Sequence, residues 1–244
     1  MSKRLDIALV DRGLVPTRAR ARDAILRGHV TVDGALAARP AQTVEASAAI
    51  AVDDPATGYV SRGSLKLIAG LDRFGYLPTG RVALDIDAST GGFTQVLLER
   101  GATKVFAVDV GHGQLAPNLA ADPRVVSREG LNARELTAAD IGEPVAAIVA
   151  DVSFISLRLV LPPALAMTAP SAWGIFLVKP QFEVGRDAVG KGGIVRDPHT
   201  AERTAADIAT WLEADMGWRV GGLILSPIEG GDGNREFLIG AEHD

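Results

Sequence analysis

With 244 residues, 47% of them hydrophobic and 23% charged, the chain has room for one α/β domain of ordinary size plus a small appended module. Cysteine is absent and only four histidines occur, which excludes disulfides and cysteine metal sites and leads us to expect no metal. The formal net charge of −5 gives no global attraction to nucleic acid, so any such binding has to come from a local patch. The opening Met1-Ser2-Lys3-Arg4-Leu5-Asp6 has no apolar signal core, which points to a cytoplasmic protein.

The first sixty residues read as a separate module. A helix is predicted over residues 4–12, with Leu5 and Leu9 one turn apart and Gly13 as its stop. Thr17 caps a second helix that reaches Arg27 and closes at Gly28. Residues 29–32 alternate as a strand, Asp33-Gly34 signals a hairpin turn, and residues 49–52 read as another strand. Up to Pro40, eight Lys and Arg stand against four Asp. Arginines clustered on a helix suit a phosphate backbone, because the guanidinium is always charged and binds in bidentate fashion. A solvated helix face accounts for the same arginines on composition alone. Residues 53–59, with Pro55 and Gly58, read as a linker.

The remainder alternates strands and helices. After a helix over residues 64–74, strands are predicted near 82–86, 104–108, 125–127, 146–150, 173–178, 218–225 and 235–240, with helical patterns that include 93–100 and 200–216. Such alternation gives a doubly wound, mostly parallel seven-stranded sheet with helices on both faces. No helix separates the last two strands, so they should form an antiparallel hairpin at or near one edge. Residues 159–178 carry no charge and match a membrane span in length, but Pro162, Pro163 and Pro170 break them. A helix over 162–167, a turn and a buried strand over 173–178 explain this stretch better.

The most informative segment is Leu84-Asp85-Ile86-Asp87-Ala88-Ser89-Thr90-Gly91-Gly92-Phe93-Thr94, at a strand-to-helix turn. Adjacent glycines there let a ligand lie against bare backbone, beside the unpaired N–H groups of a helix N-terminus. The next strand leads into Asp109, at the offset where a ribose diol is usually held. The turn lacks the Gly-x-Gly-x-x-Gly spacing of nicotinamide binders and carries Asp85 just before the loop. That combination suits S-adenosylmethionine, whose ammonium and ribose both want carboxylates. A Gly-rich turn of any α/β domain is the less favoured reading of the segment taken alone. Asp151 and Lys179 directly follow two adjacent strands and overlie the same carboxyl edge, while Lys66 and Glu236 stand at the entrance and near the end of the domain. Any one of these charges is explained as well by solvation or an ion pair.

Longer strings carry a resemblance. Arg4-Leu5-Asp6, Thr17-Arg18, Gly28-His29-Val30 and Val32-Asp33-Gly34 resemble the small α+β RNA-binding domain named after the fourth ribosomal small-subunit protein. Val60-Ser61-Arg62-Gly63, Ala88 to Thr94, Asp109-Val110-Gly111-His112-Gly113-Gln114-Leu115, Asp151-Val152-Ser153-Phe154-Ile155-Ser156-Leu157, Val178 to Gly185 and Gly192 to Pro198 are similar to the hemolysin-A (TlyA) family. The resemblance implies a two-part chain, residues 1–60 binding RNA and residues 61–244 forming an FtsJ-like, Rossmann-like class I methyltransferase domain. It implies methyl transfer from S-adenosylmethionine to the ribose 2′-hydroxyl of cytidines in ribosomal RNA, with rRNA or ribosomal subunits as partners and no membrane.

By matching motif, the implied catalytic set is Lys66, Asp151, Lys179 and Glu236. Around the cofactor it implies Asp85, Asp87, Ala88, Ser89, Gly91, Gly92, Phe93, Asp109, Val110, Asn132 and Asp151. Arg4, Arg18, Arg20, Arg22, Arg27 and Arg62 are the expected RNA ligands. A ribose hydroxyl is a poor nucleophile, and Lys179 is the candidate base or orienting group, which Asp151 would position. Glu236 would orient Lys66 or the ribose, and which amine takes the proton stays open. The chain departs from the family at Thr57-Gly58-Tyr59-Val60, where a Trp-containing linker is usual, and at Asp87, where Gly is usual. Asp tolerates left-handed backbone, but its carboxylate near the methionine end is expected to cost cofactor affinity on balance. Two other readings stay open: a non-catalytic RNA-binding or ribosome-assembly protein, and a membrane-lytic hemolysin.

Deleting residues 1–55 should weaken RNA binding far more than cofactor binding, because the basic surplus lies there. RNA affinity of the full chain should also fall steeply with salt, since phosphate contacts release counterions. Filter-binding titrations of both forms over a salt series check this; equal RNA affinity would make the module a structural appendage.

Overall fold

In the computed structural model, which describes residues 2–185, 188–190, 192–231 and 233–244, the chain divides into two units, Met1–Gly58 and Tyr59–Asp244. In the first, β1 (Lys3–Arg4) runs straight into α1 (Leu5–Asp11), and α2 (Arg18–Leu26) starts where the Thr17 side chain accepts the Arg20 N–H. Leu5, Leu9, Ala21, Ile25 and Val30 are buried together, which is the helical spacing of the sequence turned into a core. β2 (Val30–Val32) turns through Asp33 and Gly34, both at positive φ, into β3 (Ala35–Leu36). β4 (Thr43–Val44) pairs with β1, and β5 (Ile50–Val52) pairs with β2, giving the order β3-β2-β5. The β1–β4 ladder has no sequence signal, because two residues are too few to show alternation and the partner is forty residues away.

The second unit opens with α3 (Ser64–Phe74), closed by Gly75 in the left-handed region. There follow β6 (Val82–Ile86), α4 (Gly92–Glu99), β7 (Lys104–Asp109), α5 (Pro117–Ala120), β8 (Val125–Glu129), α6 (Ala138–Ile141) and β9 (Val145–Ala150). Then come α7 (Leu157–Leu165), β10 (Thr168–Val178), α8 (Pro180–Glu183), α9 (Pro198–Ala214), β11 (Arg219–Leu225) and β12 (Phe237–His243). They build a seven-stranded sheet of order β11-β12-β10-β9-β6-β7-β8. Only β12 runs against its neighbours; the expected antiparallel pair is there, with β11 at the edge and β12 one place in. Along β10 the side chains alternate: Trp173, Ile175 and Leu177 pack beneath α3 and α4, while Ala172, Phe176 and Val178 pack beneath α7 and α9. Strand order reverses between β6 and β9, so their carboxyl ends flank the crevice where doubly wound sheets bind ligands.

The proline-broken stretch folds differently from expectation. α7 begins at Leu157, five residues early, and contains Pro162 and Pro163. It can start there because Ser156 Oγ accepts the Arg158 N–H and the Glu183 carboxylate accepts the Leu157 N–H, which satisfies the first turn. β10 also starts early, but its register with β9 shifts between Thr168 and Trp173, around Pro170, which has no N–H to give. Among the described residues, no helix is long and apolar enough to cross a membrane.

Asp6 is fully buried in the first unit and accepts bonds from Arg4 and Arg18. The Arg4 bond leads in holding its carboxyl down to about 2. A depressed acid stabilises the fold above its unfolded value, near 4, and that contribution disappears as pH falls toward the folded value. Asp6→Asn should therefore lower the unfolding midpoint by several degrees at pH 7, and the gap to wild type should close near pH 2. Thermal melts followed by circular dichroism across that range check it.

Candidate active site

The turn after β6 is strapped over the next strand, with the N–H groups of Asp87 and Ala88 both donating to the Val108 carbonyl. Asp87, Ser89 and Gly91 all lie at positive φ, 65°, 49° and 93°. The glycines are also needed for close packing within the protein. A Cβ on Gly91 would stand 2.4 Å from Leu119, and one on Gly92 would stand 2.1 Å from the Ser61 hydroxyl, so both make room for protein. Asp109, at the end of β7, accepts the N–H of Ser89 at 2.7 Å and that of Gly111 at 2.6 Å.

A cleft of about 490 Å³ opens over this edge. Its lining includes Asp85, Asp87, Ala88, Ser89, Gly92, Phe93, Asp109, Val110 and Asp151 from the expected cofactor set, together with Lys66, Lys179 and Arg62. A second cavity of about 200 Å³ shares Asp87, Asp109, Val110 and Ser153 with it and is walled by Leu131, Asn132, Ile155 and Val160. Gly91 lines neither. Asp85 is buried and takes the Thr94 hydroxyl at 2.6 Å; burial pushes its carboxyl up to about 7. Asp87 accepts the Ser153 N–H at 3.1 Å, so its carboxylate is engaged across the crevice instead of standing free over the turn. Burial, and then the nearby Asp109, raise it above the usual carboxylate range.

The four expected catalytic residues meet. Lys66 Nζ lies 2.6 Å from Glu236 and 3.9 Å from Asp151, and Lys179 Nζ lies 2.7 Å from Asp151. Adjacent parallel strands β9 and β10 deliver Asp151 and Lys179 to one edge. Glu236 arrives because β12 is antiparallel: its start, Phe237, pairs with the end of β10, Val178. Lys66 and Glu236 are only 6% and 2% exposed, a burial that charges tolerate when paired. Glu236 is absent from the cleft lining and stands behind Lys66.

Ser61, Gln114, Ser153 and Phe154 also line the cleft and were not among the expected residues. Ser153 Oγ accepts from Lys179 Nζ at 2.7 Å. Phe154 is 90% exposed, at φ 64°, its ring 5.0 Å from that of Phe182. Only their place next to Asp151 in the chain could have marked them.

The expected RNA ligands divide. Arg27 is bound to Asp23 and Asp54, and Arg20 donates to the Ala56 carbonyl, so both tie the first unit together. Arg4 and Arg18 reach Asp6 yet keep about half of their side chains in solvent, 46% and 58%. Arg22 is exposed and has no partner among the described residues.

Residues 59–243 match the FtsJ-like methyltransferase family, and residues 3–50 match the S4 domain. The chain is 46% identical to the 16S/23S rRNA (cytidine-2′-O)-methyltransferase TlyA of Mycobacterium tuberculosis, over 97% of its own length and 88% of that protein. It is 38% identical to hemolysin A of Brachyspira hyodysenteriae, over 96% of this chain and 98% of the other. The solved structure of a candidate hemolysin from Streptococcus thermophilus aligns with a TM-score of 0.78 at 38% identity, over 99% of this chain and 88% of that one. The chain belongs to the FtsJ-like methyltransferase family, among the members that carry an S4 domain at the N-terminus and include TlyA and hemolysin A.

Proposed function

We propose that this protein methylates the ribose 2′-hydroxyl of cytidine in ribosomal RNA, with S-adenosylmethionine as donor. One observation carries the reading: two lysine–carboxylate pairs, Lys66–Glu236 and Lys179–Asp151, are held within 3.9 Å of each other at the edge of a cleft of about 490 Å³. The residues present fit the cofactor. The second cavity, walled by Val110, Leu131, Ile155 and Val160, suits a purine, and Asp109 beside it suits a ribose diol. Ser61 and Arg62 offer donors for a carboxylate, and Asp85 offers an acceptor for an ammonium. When bound, the cofactor supplies an electrophilic methyl group on sulfur.

The protein's own part is alignment and proton handling. Lys179 Nζ lies 2.7 Å from the Asp151 carboxylate and donates to Ser153 Oγ at 2.7 Å and to the Asp151 carbonyl at 3.4 Å, the last and longest being the bond that a substrate oxygen would replace. Glu236 fixes Lys66 from behind, so that its charge reaches Asp151 without wandering. With the cofactor bound, the methyl group would leave sulfur for the ribose oxygen, and the hydroxyl proton would pass to the Asp151 carboxylate, or to Lys179 in its neutral amine form, and then to solvent. Much of the acceleration comes from holding nucleophile and acceptor carbon in line. The S4 domain, with Arg4, Arg18 and Arg22 turned at least partly to solvent, and Arg62 at the cleft, would bind the RNA backbone. The Asp87–Ser153 bond weakens the non-catalytic reading, which rested on a free carboxylate obstructing the turn.

Mass-spectrometric mapping of ribose methylation on rRNA, incubated with donor in the presence and absence of the protein, tests the reading; it fails if no cytidine gains a 2′-methyl group. Lys179→Ala should cut transfer by about a hundred-fold or more, in line with the loss of a positioned acid–base group, and leave donor affinity within a few-fold. Calorimetric titration and single-turnover rates of the variant check this. Near-normal turnover would take Lys179 out of the catalytic set.

A further inference from the structure

Three strand ends are tied together by side chains outside the four-residue set. Asp87, just past β6, reaches across the crevice to the N–H of Ser153, 66 residues away and just past β9. The Ser153 hydroxyl in turn accepts from Lys179, just past β10, at 2.7 Å. We infer that Asp87 and Ser153 are positioning residues for Lys179: Asp87 holds the Ser153 backbone, and Ser153 holds the direction of the lysine ammonium. This inference rests on the methyltransferase reading above.

The physical need is plain. Lysine is a compact charge on a flexible four-carbon stem, so one ion pair fixes its distance from a carboxylate but lets it pivot. Asp151 holds the Lys179 ammonium from one side only, by its carboxylate at 2.7 Å and its carbonyl at 3.4 Å, and leaves it freedom to turn. A second acceptor at 2.7 Å removes that freedom. Ser153 can be this acceptor only if its own segment is fixed, and residues 151–156 have no helix or strand to fix them. Phe154, the next residue, is in the left-handed region and almost wholly solvent-exposed, so it adds little packing. Val152 is buried in the core and Ser156 is held by Glu183, and between them the Asp87 bond fixes the Ser153 backbone itself.

Asp87 is otherwise an expensive choice. Its carboxylate is largely buried with Asp109 nearby, and the described residues place no lysine or arginine in ion-pair contact with it. Its φ of 65° suits Gly at least as well. Backbone geometry does not call for Asp here, and the charge of Lys179 only partly offsets the burial of its carboxylate, whereas the bond to Ser153 needs an acceptor that Gly lacks. What looks like a departure that harms cofactor binding is, in this chain, a support for the catalytic lysine.

The test uses full-length protein and rRNA, with kcat, KM and donor Kd measured separately. Asp87→Gly keeps a permitted backbone and removes the acceptor; Asp87→Asn keeps an acceptor in the same place and removes the charge. Asp87→Gly and Ser153→Ala should each lower kcat by roughly ten-fold or more, as expected for a displaced catalytic group, with donor Kd within about three-fold of wild type. Asp87→Asn and Ser153→Thr should recover most of the rate. The double variant Asp87→Gly/Ser153→Ala should be no slower than the slower single variant, because both cuts fall on one bridge. Undiminished kcat in Asp87→Gly, Asp87→Asn as slow as Asp87→Gly, or multiplicative losses in the double variant would each overturn the bridge. In those cases wild-type transfer remains, so the enzymatic reading survives; absence of transfer by the wild-type protein would remove that reading instead.

Discussion

A lysine ammonium cannot be buried without a carboxylate beside it, and the arrangement around Lys66 follows from that constraint. The side chain comes from α3, before the first strand of the sheet, and its partner Glu236 comes from the segment before the last one. Only an antiparallel final strand brings that segment to the carboxyl edge. A parallel β12 would start at the opposite end of the sheet and leave Lys66 buried and unpaired, at a cost of several kcal/mol. The reversed strand and the buried pair therefore require each other. The same edge receives Asp151 and Lys179 directly from β9 and β10, so one topological feature assembles all four groups.

A second constraint is the crowding of carboxylates around the turn after β6. Asp109 and Asp151 disfavour the charge of Asp87, Asp87 and Asp151 disfavour that of Asp85, and each carboxylate around the turn accepts a different bond. Asp85 takes the Thr94 hydroxyl, Asp87 takes a backbone N–H from across the crevice, and Asp109 takes two N–H groups from its own neighbourhood. These bonds are also the ones that hold the loops above the crevice. The contacts that relieve these carboxylates are thus the ones that shape the cleft.

The N-terminal unit shows the same economy with the opposite sign. Its surplus of arginine is divided between internal ties and surface charge. Arg27 and Arg20 bind carboxylates and a carbonyl near the end of the unit, whereas Arg22 keeps its charge in solvent. Arg4 and Arg18 do both, anchoring the buried Asp6 while half exposed. A basic composition is therefore a poor count of available phosphate ligands.

Much of this was legible in the chain because the signals are local. Helical spacing at Leu5 and Leu9, the Thr17 cap, the Asp33-Gly34 turn and the apolar runs at β6, β7, β9 and β10 each act within a few residues, where propensity and periodicity operate. Charged residues placed just after apolar strands foretold Asp151 and Lys179, since a strand end projects its next side chain over the carboxyl edge. Tertiary structure alone decided what depends on contacts between distant segments. The β1–β4 ladder, the early start of α7 under Ser156 and Glu183, and the protein-facing role of Gly91 and Gly92 belong here. So does the bond from Asp87 to Ser153. A carboxylate in a turn looks the same in a sequence whether it faces a ligand or an N–H group, and the difference lies in a partner that only the packing of β6 against β9 brings within 3.1 Å.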